Sequence, residues 1–378
     1  MPRFLHTADW QIGRQYSQFQ PQDAVPLAQA RLDAVHTIAR LATEHVVDAV
    51  LVAGDVFDAQ TVSDRTIRQL FQALQGFAGA WIMIPGNHDA ALSESVWTRA
   101  ARLGPLPANL HLALTSQTFV FAEAGYCVLA APLTQRHTYN DLTEWFVSAP
   151  SDAGQIRIGI AHGSVQGVLA PDIDSANPIA AGRAASARLD YLALGDWHGC
   201  KQIEPHTWYS GTPETDRFRG NEPGFVLLVQ IDGVGAEPAV SRIATGQYRW
   251  QAWEQALAVA SDIDGLVAQL AELQAGDVLT LQASGQVDLP GLQRLQTALS
   301  QAEARARSVR ADLSALRLVP TDDDIAALHA DGYLGEVITE LRDRQMSPVG
   351  GDAAQAAVAG HALALLTTLL ADKPQEAA

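Results

Sequence analysis

Five short segments of the chain carry acids, amides and imidazoles, and an apolar run leads into nearly every one of them. They are Ala8-Asp9-Trp10-Gln11, Gly54-Asp55-Val56-Phe57-Asp58, Gly86-Asn87-His88-Asp89, Ala161-His162-Gly163 and Gly195-Asp196-Trp197-His198-Gly199. Side chains at the carboxyl ends of neighbouring strands converge on one crevice, where α/β sheets build their sites. A two-metal hydrolase needs such a mixture of donors, with one carboxylate bridging ions about 3.5–4 Å apart. Asp55 is the expected bridge. Asp9 and His198 would complete one ion, and Asn87, His162 and Asp196 the other. Carboxylate, amide and imidazole ligation suits Mn²⁺, Fe²⁺ or Zn²⁺ better than a pure oxygen-seeker such as Ca²⁺, with Mg²⁺ a further option. Ions so held acidify a shared water and clamp phosphoryl oxygens for in-line attack. His88, beside Asn87, is placed to contact the phosphate or protonate the leaving oxygen. Asp58 and Asp89 read as acids that orient the ligands or His88. Any one segment alone could be a polar turn; five in this order point to phosphoester hydrolysis.

The elements that must position these residues are legible as apolar runs: Phe4-Leu5, Ala49 to Ala53, Trp81 to Ile84, Ile158 to Ile160 and Tyr191 to Leu194. Residues 3 to about 246 alternate short β-rich runs with helical patterns, the rhythm of an α/β domain. Leu27, Ala30, Ala34, Ile38 and Leu41 predict a helix over 27–45, followed by a strand from Val46 to Ala53. Ser63 is the expected N-cap of a helix running to Gln75. Later strands at Thr118 to Phe121, Tyr126 to Ala131, Trp208 to Ser210 and Phe225 to Ile231 are antiparallel in flavour. The layout predicts two mixed sheets packed face to face with helices outside. From Tyr248 a strand, a helix near 263–273, a strand from Asp277, a helix at 289–307 and a strand at 308–318 predict a small α+β unit. Pro320 and Asp322-Asp323-Asp324 then open a helical tail, with helices near 325–329, 334–343 and 353–370. The apolar face of the last helix needs a partner, either the body of the protein or another chain. The expected division is 1–247, 248–319 and 320–378.

Composition bounds the function. A chain of 378 residues exceeds the usual size of one core. With 48% apolar and 18% charged residues it reads as a globular protein, and no apolar run approaches the roughly 20 residues that span a bilayer. The first strand begins almost at Met1, so a signal peptide is not expected and a cytoplasmic location is. Cys127 and Cys200 have no CxxC partner and read as free thiols. The net charge of -17 divides as -7 up to residue 250 and -10 beyond it, which argues against an extended electrostatic footprint for nucleic acid. Arg14, Arg136, Arg217 and Arg219 could contact phosphates near the crevice but read better as solvated charge. Trp10 and Trp197 read as packing over the site rather than stacking on a base, and the histidines outside the five segments as structural or surface residues.

Taken together, the five segments resemble the calcineurin-like metallophosphoesterases, with their DxH, GDxxD, GNHD, GH and GHxH motifs. The runs Phe4-Leu5-His6-Thr7-Ala8-Asp9-Trp10 and Asp48 to Asp58, and the turn Tyr209-Ser210-Gly211-Thr212-Pro213-Glu214, are similar to SbcD-type DNA repair exonucleases. That resemblance implies a four-layer sandwich, a capping domain that helps present DNA, a homodimer, and a tail that docks an SbcC-like coiled-coil ATPase. Two positions depart from the pattern: Gln11 stands where the first motif has histidine, and Asp196 replaces the first histidine of the last. Gln11 would offer a neutral amide oxygen as ligand and Asp196 a charged one. Together they shift the site towards oxygen ligation and Mn²⁺. Rival readings on the same residues are a small-molecule or protein phosphoesterase, and a scaffold subunit with weakened metal binding.

Overall fold

The computed structural model of the chain describes residues 1–167, 177–218, 220–319, 321, 333–346 and 353–371. They form two compact units, Met1–Tyr248 and Arg249–Ala378. The first unit opens with β1 (Arg3–Thr7), α1 (Pro21–Glu44), β2 (Ala49–Ala53), α2 (Asp64–Leu74), β3 (Ala80–Ile84), α3 (Val96–Arg102) and β4 (Leu110–Leu112). It continues through β5 (Gln117–Phe121), β6 (Tyr126–Ala131), a 3-10 turn at Glu144–Val147, β7 (Ile156–His162), β8 (Ser164–Val165) and β9 (Pro178–Ile179). The last elements are α4 (Arg183–Ser186), β10 (Tyr191–Gly195), β11 (Lys201–Glu204), β12 (Thr207–Tyr209), β13 (Phe225–Gln230) and β14 (Ala239–Ala244).

Two six-stranded sheets result, in the orders β14-β13-β1-β2-β3-β4 and β11-β12-β10-β7-β6-β5. Strands β1 to β4 run parallel, as do β12, β10, β7 and β6; antiparallel pairing is confined to β13, β14, β5 and β11. Side chains alternate across a strand, and the cores follow that period. Leu5, Val50, Val52, Trp81 and Met83 pack with Val35, Ile38, Ile67 and Leu70 of α1 and α2. Phe4, Ala49, Leu51, Ala53, Ile82 and Ile84 face the second sheet's Val128, Ala130, Ile158, Ile160 and Ala193. Behind that sheet, Cys127, Leu129, Leu192 and Leu194 meet Phe146, Ala184 and Ala187. The layers are therefore helix, sheet, sheet, helix, as the sequence predicts. Strands buried on both faces explain why β2, β3, β7 and β10 read as continuous apolar runs.

Among the boundaries that differ from the sequence expectation, two have a clear physical cause. Helix α1 starts at Pro21, six residues before Leu27, because a proline at the first helical position is pre-set in φ and has no N–H to leave unpaired. Strand β2 starts at Ala49, since Val46 is used to end α1: it sits at φ 50° while Val47 N–H bonds back to Ala42 O at 3.1 Å. Ser63 caps α2 through the Thr66 N–H at 3.1 Å, and both cysteines are free and buried.

The second unit contains β15 (Arg249–Leu257), α5 (Ala260–Ala271), β16 (Asp277–Val287), α6 (Leu289–Arg305) and β17 (Ser308–Leu318). Its three strands pair in parallel in sequence order, so helix and strand alternate rather than segregate as an α+β layout would. Parallel neighbours need crossovers, and α5 and α6 supply them. Their apolar faces, including Leu266, Leu270, Leu295 and Leu299, cover Leu279 and Leu281 of β16. Two further helices follow, α7 (Tyr333–Met346) and α8 (Ala353–Ala371), and α8 packs on α7 and β17. The helix expected near 325–329 and the cap at Asp322-Asp323-Asp324 lie outside the described residues. Among the described residues no helix is long and apolar enough to cross a membrane.

Candidate metal centre

The first three segments leave the carboxyl ends of β1, β2 and β3, which lie side by side; the other two leave β7 and β10, paired so that His162 sits opposite Gly195. The loops after β1 and β2 run alongside each other through Asp9 N–H to Gly54 O (3.0 Å), Gln11 N–H to Asp55 O (2.8 Å) and Ile12 N–H to Val56 O (2.8 Å). This backbone is bent into costly shapes. Asp9, Gln11, Asp55 and Asp196 all have positive φ, four of the seven non-glycine residues that do so among the described residues. Such strain costs on the order of 1–3 kcal/mol per residue and gathers at functional sites. Two glycines are sterically required. A Cβ on Gly54, itself at φ 90°, would lie 2.3 Å from His162 Nδ1, and one on Gly86 would lie 2.2 Å from Asp55 Oδ1.

Asp9, Asp55 and His162 bring one ligand atom each within 4.8 Å of one another, all three buried. His162 Nδ1 donates to Ala53 O at 2.8 Å, which leaves Nε2 to face the cluster. That nitrogen lies 3.3 Å from Asn87 Oδ1, 3.6 Å from Asp55 Oδ1 and 3.7 Å from Asp196 Oδ1. Burial works against charge on His162, yet the carboxylates of Asp55, Asp9 and Asp196 outweigh it and raise the imidazole to about 9. Burial also raises the Asp9 carboxyl, to about 6, against the pull of His198 and His162. The cluster thus collects acceptor oxygens and a ring nitrogen around a space that demands positive charge, and this donor chemistry fits a divalent ion.

His88 is half-buried. Its ring Nδ1 is held by the backbone oxygen of Asp58 at 2.7 Å, its N–H donates to Asp55 Oδ1 at 2.9 Å, and its Nε2 lies 3.9 Å from Asp55 Oδ2. The Asp58 carboxylate, expected to orient the ligands or His88, faces Arg14 at 3.5 Å, and Arg14 in turn donates to Gln11. Asp89 is fully buried and accepts from Gly86 N–H (2.7 Å), Val56 N–H (3.0 Å) and Phe57 N–H (3.2 Å), stapling the second loop to the third. Burial, then the neighbouring Asp55 charge, raises its carboxyl to about 7.

The His198 side is assembled differently. Gln11 Oε1 accepts from Arg14 at 2.5 Å, and Gln11 Nε2 lies 3.3 Å from His198 Nε2. His198 Nδ1 is 3.1 Å from Asp216 Oδ2, while Arg217 Nη2 lies 2.8 and 3.0 Å from the two ring nitrogens. Arg14 and Arg217, expected as solvated charge, are therefore part of this cluster; Arg219 lies outside the described residues. Sequence reasoning missed Asp216, which is buried. Desolvation pushes its carboxyl up, but the His198 bond, Arg31 and Arg217 outweigh that and hold it below the usual range. Also missed was Arg31, 1% exposed on the apolar face of α1, which donates to Asp9 O (2.8 Å), Trp10 O (2.6 Å), Thr212 Oγ1 (2.9 Å) and Glu214 O (3.2 Å). A charge in the Leu27–Leu41 stripe was the available signal. Trp10 is core, edge-on to Trp81, and Lys201 lies over the half-buried Trp197. His6 is structural, between Tyr191 OH and Leu194 O.

Residues 2–229 match the family model described as calcineurin-like phosphoesterase. The DNA double-strand break repair protein Mre11 of Methanosarcina acetivorans is 27% identical over 263 residues, 65% of this chain and 39% of its own length. The SbcD subunit of the nuclease SbcCD of Escherichia coli K12 is 29% identical over 254 residues, covering 56% of this chain and 60% of that protein. Its counterpart in Rhodobacter capsulatus is 38% identical over 94 residues, 24% of this chain and 22% of its own. The matched part is less than two thirds of the length of each of these relatives. With its strand-end acids, its four layers and more than half its length inside the family model, the chain belongs to the calcineurin-like phosphoesterases.

Proposed function

We propose that the chain is a divalent-metal-dependent phosphodiesterase that cleaves DNA, working as a nuclease subunit in repair. The observation that carries the metal-dependent part is the convergence of Asp9, Asp55, Asn87, Asp196 and His162 on one space, with His162 Nε2 turned towards their oxygens. Asp9, Asp55, His162 and Asn87 would hold the ion and Asp196 would add a further oxygen, a set hard enough to favour Mn²⁺. An ion bound there supplies an acidified water and neutralises phosphoryl charge. His88 handles the proton: with Nδ1 held on Asp58 O, its Nε2, 3.9 Å from Asp55 Oδ2, is the atom left to donate, when protonated, to a phosphoryl or leaving oxygen. Asp89 ties the loop carrying Asp55 to the one carrying Asn87, and Arg31 ties the loop carrying Asp9 to the turn at 212–214. The likeness to Mre11 and SbcD proteins supports DNA as the substrate and an SbcC-like ATPase as the partner. On this reading residues 248–319 cap the site, 320–378 dock the ATPase, and the chain works as a homodimer.

The test is direct. With Mn²⁺, the protein should cleave labelled linear duplex and single-stranded DNA as well as bis-p-nitrophenyl phosphate. Cleavage of the small ester alone would transfer the assignment to a small phosphoester, a reading that the net charge of -17 favours.

A further inference from the structure

We propose that the His198 side of the cluster is built around guanidinium groups rather than a metal ion. The chain would then hold one divalent cation, at Asp9, Asp55 and His162, with Arg14 and Arg217 supplying the neighbouring positive charge. The inference rests on the metal-dependent phosphodiesterase reading and refines its active site.

Hydrogen bonding separates the two sides. Guanidinium can only donate, so the Gln11 oxygen must face Arg14 and its NH₂ must face His198 Nε2. Arg217 Nη2, a second donor, lies 2.8 Å from Nδ1 and 3.0 Å from Nε2, and Asp216 Oδ2 lies 3.1 Å from Nδ1. Both ring nitrogens and the Gln11 oxygen, the atoms that would ligate an ion, are thus already committed to protein partners. His162 is the opposite case. Its Nδ1–H is satisfied by Ala53 O, and its Nε2 meets the oxygens of Asn87, Asp55 and Asp196, an arrangement that a cation completes.

Charge divides the same way. Asp216 and Asp58 are matched by Arg217, 3.1 Å from Asp216, and Arg14, 3.4 Å from Asp216 and 3.5 Å from Asp58. The Asp55 carboxylate is faced by the imidazoles of His88 and His162, and Asp9 and Asp55 each have an oxygen within 4.8 Å of His162. A divalent ion placed against His198 would meet two guanidinium groups already paired with the nearest carboxylates there, and like charges at short range repel. An arginine neutralises phosphoryl charge but brings no bound water, so water activation falls to the His162 side.

The test is metal stoichiometry. The full chain, stripped with chelator, loaded with Mn²⁺ and dialysed, should retain one ion per chain by elemental analysis and give the EPR spectrum of isolated Mn²⁺. Two ions per chain with a spin-coupled spectrum would overturn the inference. Gln11→His combined with Arg14→Ala and Arg217→Ala, its folding checked by thermal melting, should raise the content from one ion to two. A folded triple variant still holding one would overturn the role given to the arginines; the wild-type count decides the matter if that variant does not fold. One ion without phosphodiesterase activity supports the stoichiometry and sinks the functional reading, whereas no bound Mn²⁺ sinks both.

Discussion

Asn87 and His88 are adjacent in sequence but face different tasks, and their alanine variants should separate metal binding from proton transfer. Asn87 Oδ1 lies 3.3 Å from His162 Nε2 inside the cluster, whereas the half-buried His88 is held through Nδ1 on Asp58 O and keeps its Nε2 3.9 Å from Asp55 Oδ2. Asn87→Ala should therefore lose Mn²⁺ affinity in a calorimetric titration. His88→Ala should keep its metal and KM while kcat falls about 10²–10⁴-fold, the usual worth of a positioned acid–base group. Loss of metal from His88→Ala would refute this division. These two residues, with Asp9, Asp55, His162, Asp196 and His198, were legible because each follows an apolar strand at once, so a local pattern marks a site built from distant parts. Asp216, Arg14 and Arg217 were not. Asp216 reaches His198 only because the 209–214 turn folds back, its Thr212 N–H bonding to His198 O at 3.1 Å, and no spacing rule reveals a contact made that way.

At the level of elements, sheet strands were easy to read and supports were hard. A strand buried on both faces announces itself as an apolar run, but Arg31 does its work from inside a helix by bonding to the backbone of two loops. Replacing it with methionine keeps bulk and leaves Asp9 O and Trp10 O without their Arg31 donor, while Glu214 O keeps only the Thr212 hydroxyl. Arg31→Met should cost about 3 kcal/mol or more in urea unfolding, since bonds to a charged donor contribute roughly 1.5–3 kcal/mol each. It should also weaken Mn²⁺ binding through the Asp9 loop, and a loss below about 1 kcal/mol would show that the strut is dispensable. Glu214 gives a second test. Its buried carboxylate receives Gln247 N–H at 2.6 Å and Tyr248 N–H at 3.1 Å, and desolvation raises its pKa from 4.5 to about 7 in spite of them. A folded pKa above the unfolded one means that stability is fully present below about 4.5 and is lost as pH rises through about 7. Glu214→Gln should therefore flatten the stability difference between pH 5 and pH 8 by up to roughly 3 kcal/mol. Parallel curves for variant and wild type, measured in chelator, would remove Glu214 as the cause.

At the scale of the whole molecule, the apolar residues that the second unit leaves exposed bear on the proposed partner. Helix α8 buries Ala359 and Leu363, whereas Val358, Leu365 and Leu369 remain 69%, 65% and 66% exposed. Spaced seven and four apart, these three lie on one helical face, and an apolar stripe of that kind normally marks an interaction surface. The apolar face that the sequence predicts for the last helix is thus only partly used by α7 and β17. A coiled-coil ATPase offers the complementary helical surface, since amphipathic helices bind by laying such anchors into an apolar groove. Leu365→Asp with Leu369→Asp should abolish co-purification of the full chain with an SbcC-like ATPase expressed alongside it. Both residues lie in α8, outside the metal cluster in the first unit, so hydrolysis of bis-p-nitrophenyl phosphate by the isolated double variant should match wild type. Undiminished capture of the ATPase by the folded double variant would move the docking surface away from α8.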